Sequence, residues 1–277
     1  METEHAALEG TDVVFVCTPP GVALDWIAEA VVRNLLVIDL SGAIQGSAAL
    51  AQRSGFEQLL ASPEASLMAP FPGPELAWLR VLTPLHEAFG IRRIVATALM
   101  SASSSGRAGV DALYEETLAL LGLREDAEGE SSSLDHPIAL DVLPWSGEME
   151  EDGTSPAERR IAASLRRALG DAVTLSITVV RVPTFCGDGV SLAIECAGPV
   201  TPTKVRDVLR RSLDVELVED PRGPTTRGAA GTERVRVGRI RQDPSREDVV
   251  LLWLAADPAR LAAIDAVRTV IGRFGLP

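Results

Sequence analysis

The chain has 277 residues, of which 46% are hydrophobic and 23% are charged, as is typical of soluble globular proteins. Its formal net charge at pH 7 is −13, from 26 basic and 39 acidic side chains. Because nucleic acids and anionic membranes attract basic surfaces, this charge balance argues against both as partners.

The N-terminal segment METEHAALEG has neither the basic region nor the apolar core of a signal peptide. No apolar run approaches the ~20 residues that a membrane-spanning helix needs. The chain has three cysteines, Cys17, Cys186 and Cys196, without paired spacing, which indicates a reducing compartment rather than a disulfide scaffold. We therefore expect a cytoplasmic protein.

The first part of the chain has the pattern of an α/β layer. DVVFVC (12–17) and LLVIDL (35–40) are short apolar runs, typical of strands buried on both faces of a parallel sheet. An amphipathic stretch at 22–33 lies between them, so the spacing predicts a βαβ unit. A helix at 76–89 and a strand at 92–99 are predicted to follow as a second unit.

Beyond residue 106 the pattern changes to α+β. Two segments, 173–182 and 191–196, alternate like strands with one solvated face, and 234–241 alternates strictly. The run 249–254 predicts a buried strand. Helices are predicted at 110–121, from the capping box Ser155-Pro156-Ala157-Glu158, from Thr201 and from Asp257.

Three separated segments resemble the aspartate-β-semialdehyde dehydrogenase family in order and spacing. They are LTPLHEAFGIRRIVATALMSASSSGRAGVDALYEET (82–117), VVRVPTFCGDGV (179–190) and GRIRQDPSREDVVLLWLAADPARLAAIDAV (238–267). The resemblance extends over essentially the whole chain from Asp12 onward.

The resemblance implies an α/β plus α+β fold, with a truncated Rossmann-type parallel sheet and an inserted α+β dimerisation domain. We expect residues 1–104 with 257–277 to form the first domain, lacking its first βα unit, and 105–256 to form the second. The expected partner is a second copy of the chain or another family member. Active relatives reduce an acyl phosphate with NADPH through a cysteine thioester.

The resemblance also predicts that no catalytic residue is intact. The family's nucleophilic cysteine corresponds to Gly73, which has no side chain to acylate. Its orienting glutamine corresponds to Met100, which can neither donate a hydrogen bond nor take a proton. Its acid/base histidine corresponds to Asp188, which could accept a proton if desolvated, although its reference pKa of ~3.9 makes it a poor acid near neutrality.

Remnants of a substrate site are expected at Arg181, Arg160 and Ser103. The two arginines could hold a carboxylate, although a structural role is equally expected. The family has a substrate or phosphate arginine after its Asp-x-Ser turn, and this residue corresponds to Gln45. The family also has a Glu and a Lys on the capping-box helix, which correspond to Ala157 and Arg160.

We expect no cofactor, although the family uses NADP. Rossmann binding needs a Gly-rich turn after the first strand, and no G-x-G-x-x-G occurs in the chain. A family glycine near the nicotinamide corresponds to Leu261, which would crowd that space.

Other readings of single residues remain open. Cys186 lies near Asp188 and could be a relocated nucleophile, although free cysteines are more often small buried hydrophobic residues. The three histidines, His5, His86 and His136, are scattered, so no metal site is predicted. The serine run 101–105 lacks the G-x-S-x-G elbow of a hydrolase, which favours a polar turn.

Three functional hypotheses follow. The first is a non-catalytic family member that acts through dimerisation. The second is an active NADP-dependent semialdehyde dehydrogenase with an unusual site, and the third is a sensor of an acidic metabolite.

Overall fold

The computed structural model describes residues 5–44, 67–122 and 136–275. These residues form two compact units, here called the N-terminal unit (Met1–Leu76 with Arg260–Pro277) and the central unit (Ala77–Ala259). The boundaries differ from the sequence-based division at 104/105 and 256/257. Within the described residues, no helix is long and apolar enough to cross a membrane.

The helices and strands are numbered in chain order. They are β1 (Val13–Val16), α1 (Pro20–Val32), β2 (Leu36–Asp39), β3 (Leu67–Met68), α2 (Gly73–Phe89), β4 (Ile91–Met100), α3 (Gly106–Leu120), α4 (Pro156–Leu169), β5 (Thr174–Arg181), β6 (Asp188–Cys196), α5 (Pro202–Leu209), β7 (Val215–Leu217), α6 (Thr226–Ala229), β8 (Val235–Asp243), β9 (Arg246–Ala256) and α7 (Pro258–Phe274).

The N-terminal unit contains a parallel sheet of order β1-β2-β3. Its middle strand, β2, is buried along its whole length. Val37 packs in a cluster with α1, whereas Leu36 and Ile38 pack with Ala266 of α7. Burial on both faces explains why this strand is a continuous apolar run rather than an alternating one.

The central unit is built on a mixed sheet of six strands in the order β5-β4-β6-β9-β8-β7. Strands β4 and β5 are parallel, as are β7 and β8, and the other neighbours are antiparallel. The fold class predicted from the sequence is therefore confirmed. Strand β4, which the sequence grouped with the N-terminal unit, lies instead in this second sheet.

Within the part of the chain that the structure describes, one face of the six-stranded sheet is covered and the other is open. Strand β4 alternates between buried and exposed residues, and its buried positions include Ile94, Ala96 and Ala98. The register aligns two rows of residues across the opposite face, here called the open face. The rows are Ser176-Val95-Ala193-Leu251 and Thr178-Thr97-Ser191-Trp253.

The capping box predicted at Ser155 is present at the start of α4. The Ser155 hydroxyl accepts a bond from the Glu158 N–H at 3.4 Å, and Glu158 Oε2 accepts one from the Ser155 N–H at 2.7 Å. The second oxygen, Glu158 Oε1, accepts a bond from the Val179 N–H of β5 at 2.9 Å. One carboxylate thus accepts hydrogen bonds from an N–H group at the helix N-terminus and from an N–H group of the edge strand β5.

Candidate functional site

Two loops meet where the parallel strands β4 and β5 end. Residues 101–105, here called the serine loop, follow β4, and residues 182–187 follow β5. The register aligns Met100 with Arg181 at the strand ends. Backbone bonds then join the loops, from the Ala102 N–H to the Thr184 carbonyl at 2.9 Å and from the Ser103 N–H to the Phe185 carbonyl at 3.0 Å.

Two glycines bring the second loop close enough to position Asp188. Gly187 has a φ of +87°, and a Cβ there would lie 2.2 Å from the Thr226 carbonyl oxygen. At Gly189 a Cβ would lie 2.4 Å from the indole of Trp253. Since neither site has room for a side chain, the spacing Gly-Asp-Gly is a packing requirement as well as a conformational one.

Asp188 is buried against the serine loop, with 6% of its surface exposed. Its Oδ1 atom accepts bonds from the Ser101 N–H at 2.9 Å and from the Ser101 hydroxyl at 2.8 Å. The Ser104 hydroxyl lies 3.4 Å from both carboxyl oxygens. Asp188 therefore ties the start of β6 to the end of β4.

Burial raises the pKa of Asp188 to about 6, because desolvation outweighs the bonds from Ser101 and Ser104. The nearby charge of Asp257 raises this pKa further. A carboxyl with this pKa exchanges protons near neutrality, which is the outcome that the sequence made conditional on desolvation. Its exchangeable proton faces serine hydroxyls, however, and no thiol is among its hydrogen-bond partners.

Arg181 is held by two other serines. Its Nη1 donates to the Ser105 hydroxyl at 2.8 Å, and its Nε donates to the Ser146 hydroxyl at 3.2 Å. Its main chain also pairs with Leu143 in both directions, at 2.8 and 3.0 Å. Arg160, the other predicted substrate arginine, lies on the exposed surface of α4.

Ser103 joins the same polar cluster from the serine loop. Its hydroxyl lies 2.9 Å from the Ser101 hydroxyl, which donates to Asp188. The structure therefore brings Ser103 and Asp188 together through Ser101, whereas the hydrogen bonds of Arg181 lead to Ser105 and Ser146.

Two of the three thiols lie in surroundings that raise the thiol pKa and so disfavour the thiolate. Burial raises the pKa of Cys196 to about 11, aided by Asp248 and Glu195. The pKa of Cys17 is also raised, by burial and by Asp39. A nucleophilic cysteine needs a lowered pKa, so neither thiol meets this requirement. Cys186 is a free and exposed thiol in the loop after β5.

His86 and His136 have structural partners. His86 Nδ1 accepts a bond from the Ile91 N–H at 3.0 Å, where α2 passes into β4. The ring of His136 meets Trp145 edge to face, with a centroid separation of 5.9 Å. Over residues 5–44, 67–122 and 136–275, no three potential metal ligands form a cluster.

Comparisons with known proteins agree on one family. Residues 82–260 match the family model described as semialdehyde dehydrogenase, dimerisation domain. The chain is 36% identical to a USG-1 protein homolog of Pseudomonas aeruginosa, over 83% of this chain and 69% of that protein. It is 29% identical to the aspartate-semialdehyde dehydrogenase of Rickettsia bellii, over 94% of this chain and 78% of the relative.

The chain belongs to the aspartate-semialdehyde dehydrogenase family. A solved structure of a probable aspartate-semialdehyde dehydrogenase from Pseudomonas aeruginosa superimposes with a TM-score of 0.85 at 31% identity. It covers 96% of this chain, which spans 80% of that one. The Vibrio cholerae aspartate semialdehyde dehydrogenase II structure has a TM-score of 0.89 at 24% identity, over 99% of this chain and 82% of that one, which shows the shared fold.

The positions that the resemblance assigns to catalytic, substrate and cofactor contacts of aspartate-semialdehyde dehydrogenases are mostly buried in this structure. Gly73 is the first residue of α2 and is buried. Met100 is a buried residue at the end of β4, and its carbonyl accepts a bond from the Val182 N–H at 3.0 Å. Ala157 is buried in α4, Leu261 is fully buried in α7, and Gln45 lies outside the described residues.

The turn between β1 and α1 does not fit a dinucleotide pyrophosphate. Such a site uses backbone N–H groups at the helix N-terminus, in a turn made close by glycines. Here the N-cap is Pro19 and the first helical residue is Pro20, neither of which carries an N–H. This turn therefore lacks two of the donors that a phosphate would use.

Several polar residues were not identified from the sequence as hydrogen-bonding or electrostatic partners in the site. They include the immediate partners of the predicted residues, namely Ser101, Ser104, Ser105, Ser146 and Asp257. A buried aspartate requires donors, and the serine run after β4 was the donor-rich segment available. Ser146 had no such signal, because it lies in a segment without regular secondary structure.

Proposed function

We propose that this chain is a non-catalytic member of the aspartate-semialdehyde dehydrogenase family that acts by pairing with a second copy of itself. The proposal is supported by Gly73, Met100 and Asp188, which stand at the three positions that the resemblance assigns to catalytic residues, on a scaffold that superimposes on a probable aspartate-semialdehyde dehydrogenase. Thioester chemistry needs a nucleophile, and a glycine cannot supply one.

The environment of Asp188 supports the same conclusion. In a working site, the acid/base group must reach the reacting atoms. Here both carboxyl oxygens are directed at Ser101 and Ser104. The bonds that this carboxyl makes bind β6 to the serine loop, which is a structural role.

The part of the chain that the structure describes also offers few groups that could bind NADP or an acyl phosphate. Pro19 and Pro20 remove amide donors from the turn after β1, and Leu261 fills space in α7. The Arg181 guanidinium is engaged by Ser105 and Ser146. We therefore propose that neither NADP nor an acyl phosphate is bound productively.

Dimerisation is the activity that remains, and the open face of the central sheet is a suitable surface for it. Val95 is 44% exposed in the middle of this face, beside Ser176 and Ala193 in neighbouring strands. Small hydroxyl and apolar residues can pack closely against a second sheet. The match of residues 82–260 to a dimerisation domain is the further support.

The test is to measure NADPH binding by calorimetry and to assay oxidation of aspartate semialdehyde with phosphate in the same preparation. The Vibrio cholerae aspartate-semialdehyde dehydrogenase 2, a relative at 32% identity, serves as the positive control. We expect neither binding nor turnover from this chain under conditions in which the control is active.

Turnover would overturn the proposal and favour the active-enzyme reading, in which Cys186 is the candidate nucleophile. If Cys186 is the nucleophile, the Cys186→Ser variant would show no turnover. Saturable binding of aspartate-like acids without turnover, lost in Arg181→Gln, would instead favour the sensor of an acidic metabolite.

A further inference from the structure

A cavity of about 290 Å³ lies at the far edge of the central unit, away from the β4 and β5 ends. It is bounded by α5, by residues 217–221 that follow β7, and by residues 237–241 of β8. Its wall includes three arginines, Arg206, Arg239 and Arg241. This volume is at the lower end of the range for small-molecule sites.

The three arginines have no carboxylate partner within the described part of the chain. Arg206 donates from Nη2 to the Ile240 carbonyl at 2.8 Å, and Arg241 donates from Nη1 to the Arg239 carbonyl at 3.2 Å. The two carboxylates at the rim are paired elsewhere. Glu219 Oε1 lies 3.5 Å from Arg210 Nη2, and Asp220 Oδ2 lies 2.6 Å from Arg222 Nη2.

Such a local surplus of guanidinium groups is unusual in a chain of net charge −13. Across the same molecule, arginines such as Arg107, Arg159 and Arg246 form ion pairs with carboxylates at 2.7 Å. Three unneutralised cations around one concavity repel one another, and an anion placed among them would relieve that repulsion.

The backbone holds one of these arginines in a strained conformation. Arg239 has a φ of +51°, in the left-handed region, at a register shift between Gly238 and Arg241. Its stem lies against Gly223, since a Cβ there would meet the Arg239 Cγ at 2.8 Å. Strain of this kind persists where the surroundings impose it, and it is commonest at sites that bind ligands.

We propose that this cavity binds a small phosphate-bearing metabolite, with Arg206, Arg239 and Arg241 as the oxyanion ligands. Guanidinium groups recognise phosphate oxygens through paired N–H donors, and three of them suit a dianion better than a single carboxylate. Leu217, Val218 and Pro221 would line the organic body of the ligand. The site is independent of the lost catalytic positions.

The probes are inorganic phosphate, glycerol 3-phosphate and succinate, each titrated calorimetrically into the full chain. We expect saturable binding of glycerol 3-phosphate below about 1 mM, weakened by added NaCl. Equal binding of inorganic phosphate would identify free phosphate as the ligand, whereas tighter binding of the ester would identify a phosphorylated metabolite. Preference for succinate over both would overturn the phosphate assignment.

The decisive variant is Arg239→Gly, because glycine relieves the left-handed strain while removing the guanidinium. We expect its melting temperature to be equal to or above that of the parent and its affinity for glycerol 3-phosphate to fall about ten-fold or more. Arg239→Gln should lose affinity equally.

Arg166→Gln is the control of equal charge, since Arg166 is exposed on α4. We expect this control to bind within about two-fold of the parent, as is usual for surface charges distant from a ligand. Equal affinity in the parent and in both Arg239 variants would overturn the proposal, as would absence of saturable binding in the parent.

Discussion

Asp188 illustrates how a buried acid can join two strands through hydrogen bonds. At this position, which the resemblance assigns to the family's histidine, the aspartate is 6% exposed and accepts bonds from the Ser101 N–H and hydroxyl. Gly187 and Gly189 on either side keep the backbone close enough for these bonds. The carboxyl nevertheless remains costly to ionise, which raises its pKa to about 6.

This raised pKa predicts a specific dependence of stability on pH. The folded-state pKa exceeds the unfolded value, so the folded chain binds more protons between about pH 4 and 6. The contribution of Asp188 to stability is therefore greatest at low pH and is lost as pH rises through 6. Asp188→Asn keeps an oxygen for both Ser101 bonds but cannot ionise.

We expect the free energy of unfolding of Asp188→Asn, relative to the parent, to rise by about 2 kcal/mol between pH 4 and pH 8. Urea denaturation of both proteins across this range measures the difference. Asp171→Asn, at an exposed aspartate, is the control for the loss of one carboxylate. A constant difference for Asp188→Asn would mean that its carboxyl titrates normally.

At the residue scale, the sequence singled out members of this polar cluster but did not predict their contacts. Ser103 and Asp188 were both singled out, yet their connection through Ser101 depends on the register of β4 against β6. Register is decided by tertiary pairing, which single residue types do not encode. The sequence made the acidity of Asp188 conditional on desolvation, because its burial could not be deduced from its glycine neighbours.

Among the elements, β5 shows how an edge strand is protected. It pairs with β4 on one side only, so N–H groups on its other side need acceptors. Glu158 Oε1 accepts the Val179 N–H at 2.9 Å, and Leu143 pairs with Arg181 farther along. Glu158 also closes the capping box with Ser155, so α4 is anchored to the edge that it protects.

We expect Glu158→Ala to reduce the free energy of unfolding by about 2 kcal/mol or more, because two bonds to a charged acceptor are lost. Ser155→Ala removes only the hydroxyl half of the capping box and should cost about 1 kcal/mol. Chemical denaturation of both variants provides the comparison. Glu151→Ala, at an exposed position, is the control and should be near neutral. Equal costs for the two test variants would exclude a role of Glu158 at the strand edge.

The strands were predicted more reliably than their sheet. Alternating or continuous apolar runs identified β1, β2, β4, β5, β6, β8 and β9, and the short strands β3 and β7 were missed. Strand β4 was grouped with the N-terminal unit because it follows a helix at βαβ spacing. In the structure it pairs in parallel with β5, more than 70 residues later in the chain, and such long-range pairing has no local signal.

For the whole molecule, the question raised by the proposed function is what would preserve a family scaffold without catalysis. The open face offers one answer, since Val95, Ala193 and Leu251 form an apolar row flanked by Thr97 and other small hydroxyl residues. A sheet face that lacks a covering helix gains stability when a second sheet packs on it. Selection for that pairing would preserve the central unit independently of catalysis.

Val95→Arg tests this directly, because it would place an unpaired charge in the middle of the paired sheets. We expect the parent to sediment as a dimer at micromolar concentration and the variant to show a dimer Kd raised by about 100-fold or more. Leu213→Arg, at a position that is 83% exposed elsewhere in the central unit, should remain dimeric. Circular dichroism of both variants establishes that they are folded. A monomeric parent, or a dimeric Val95→Arg, would mean that the open face is not the pairing surface.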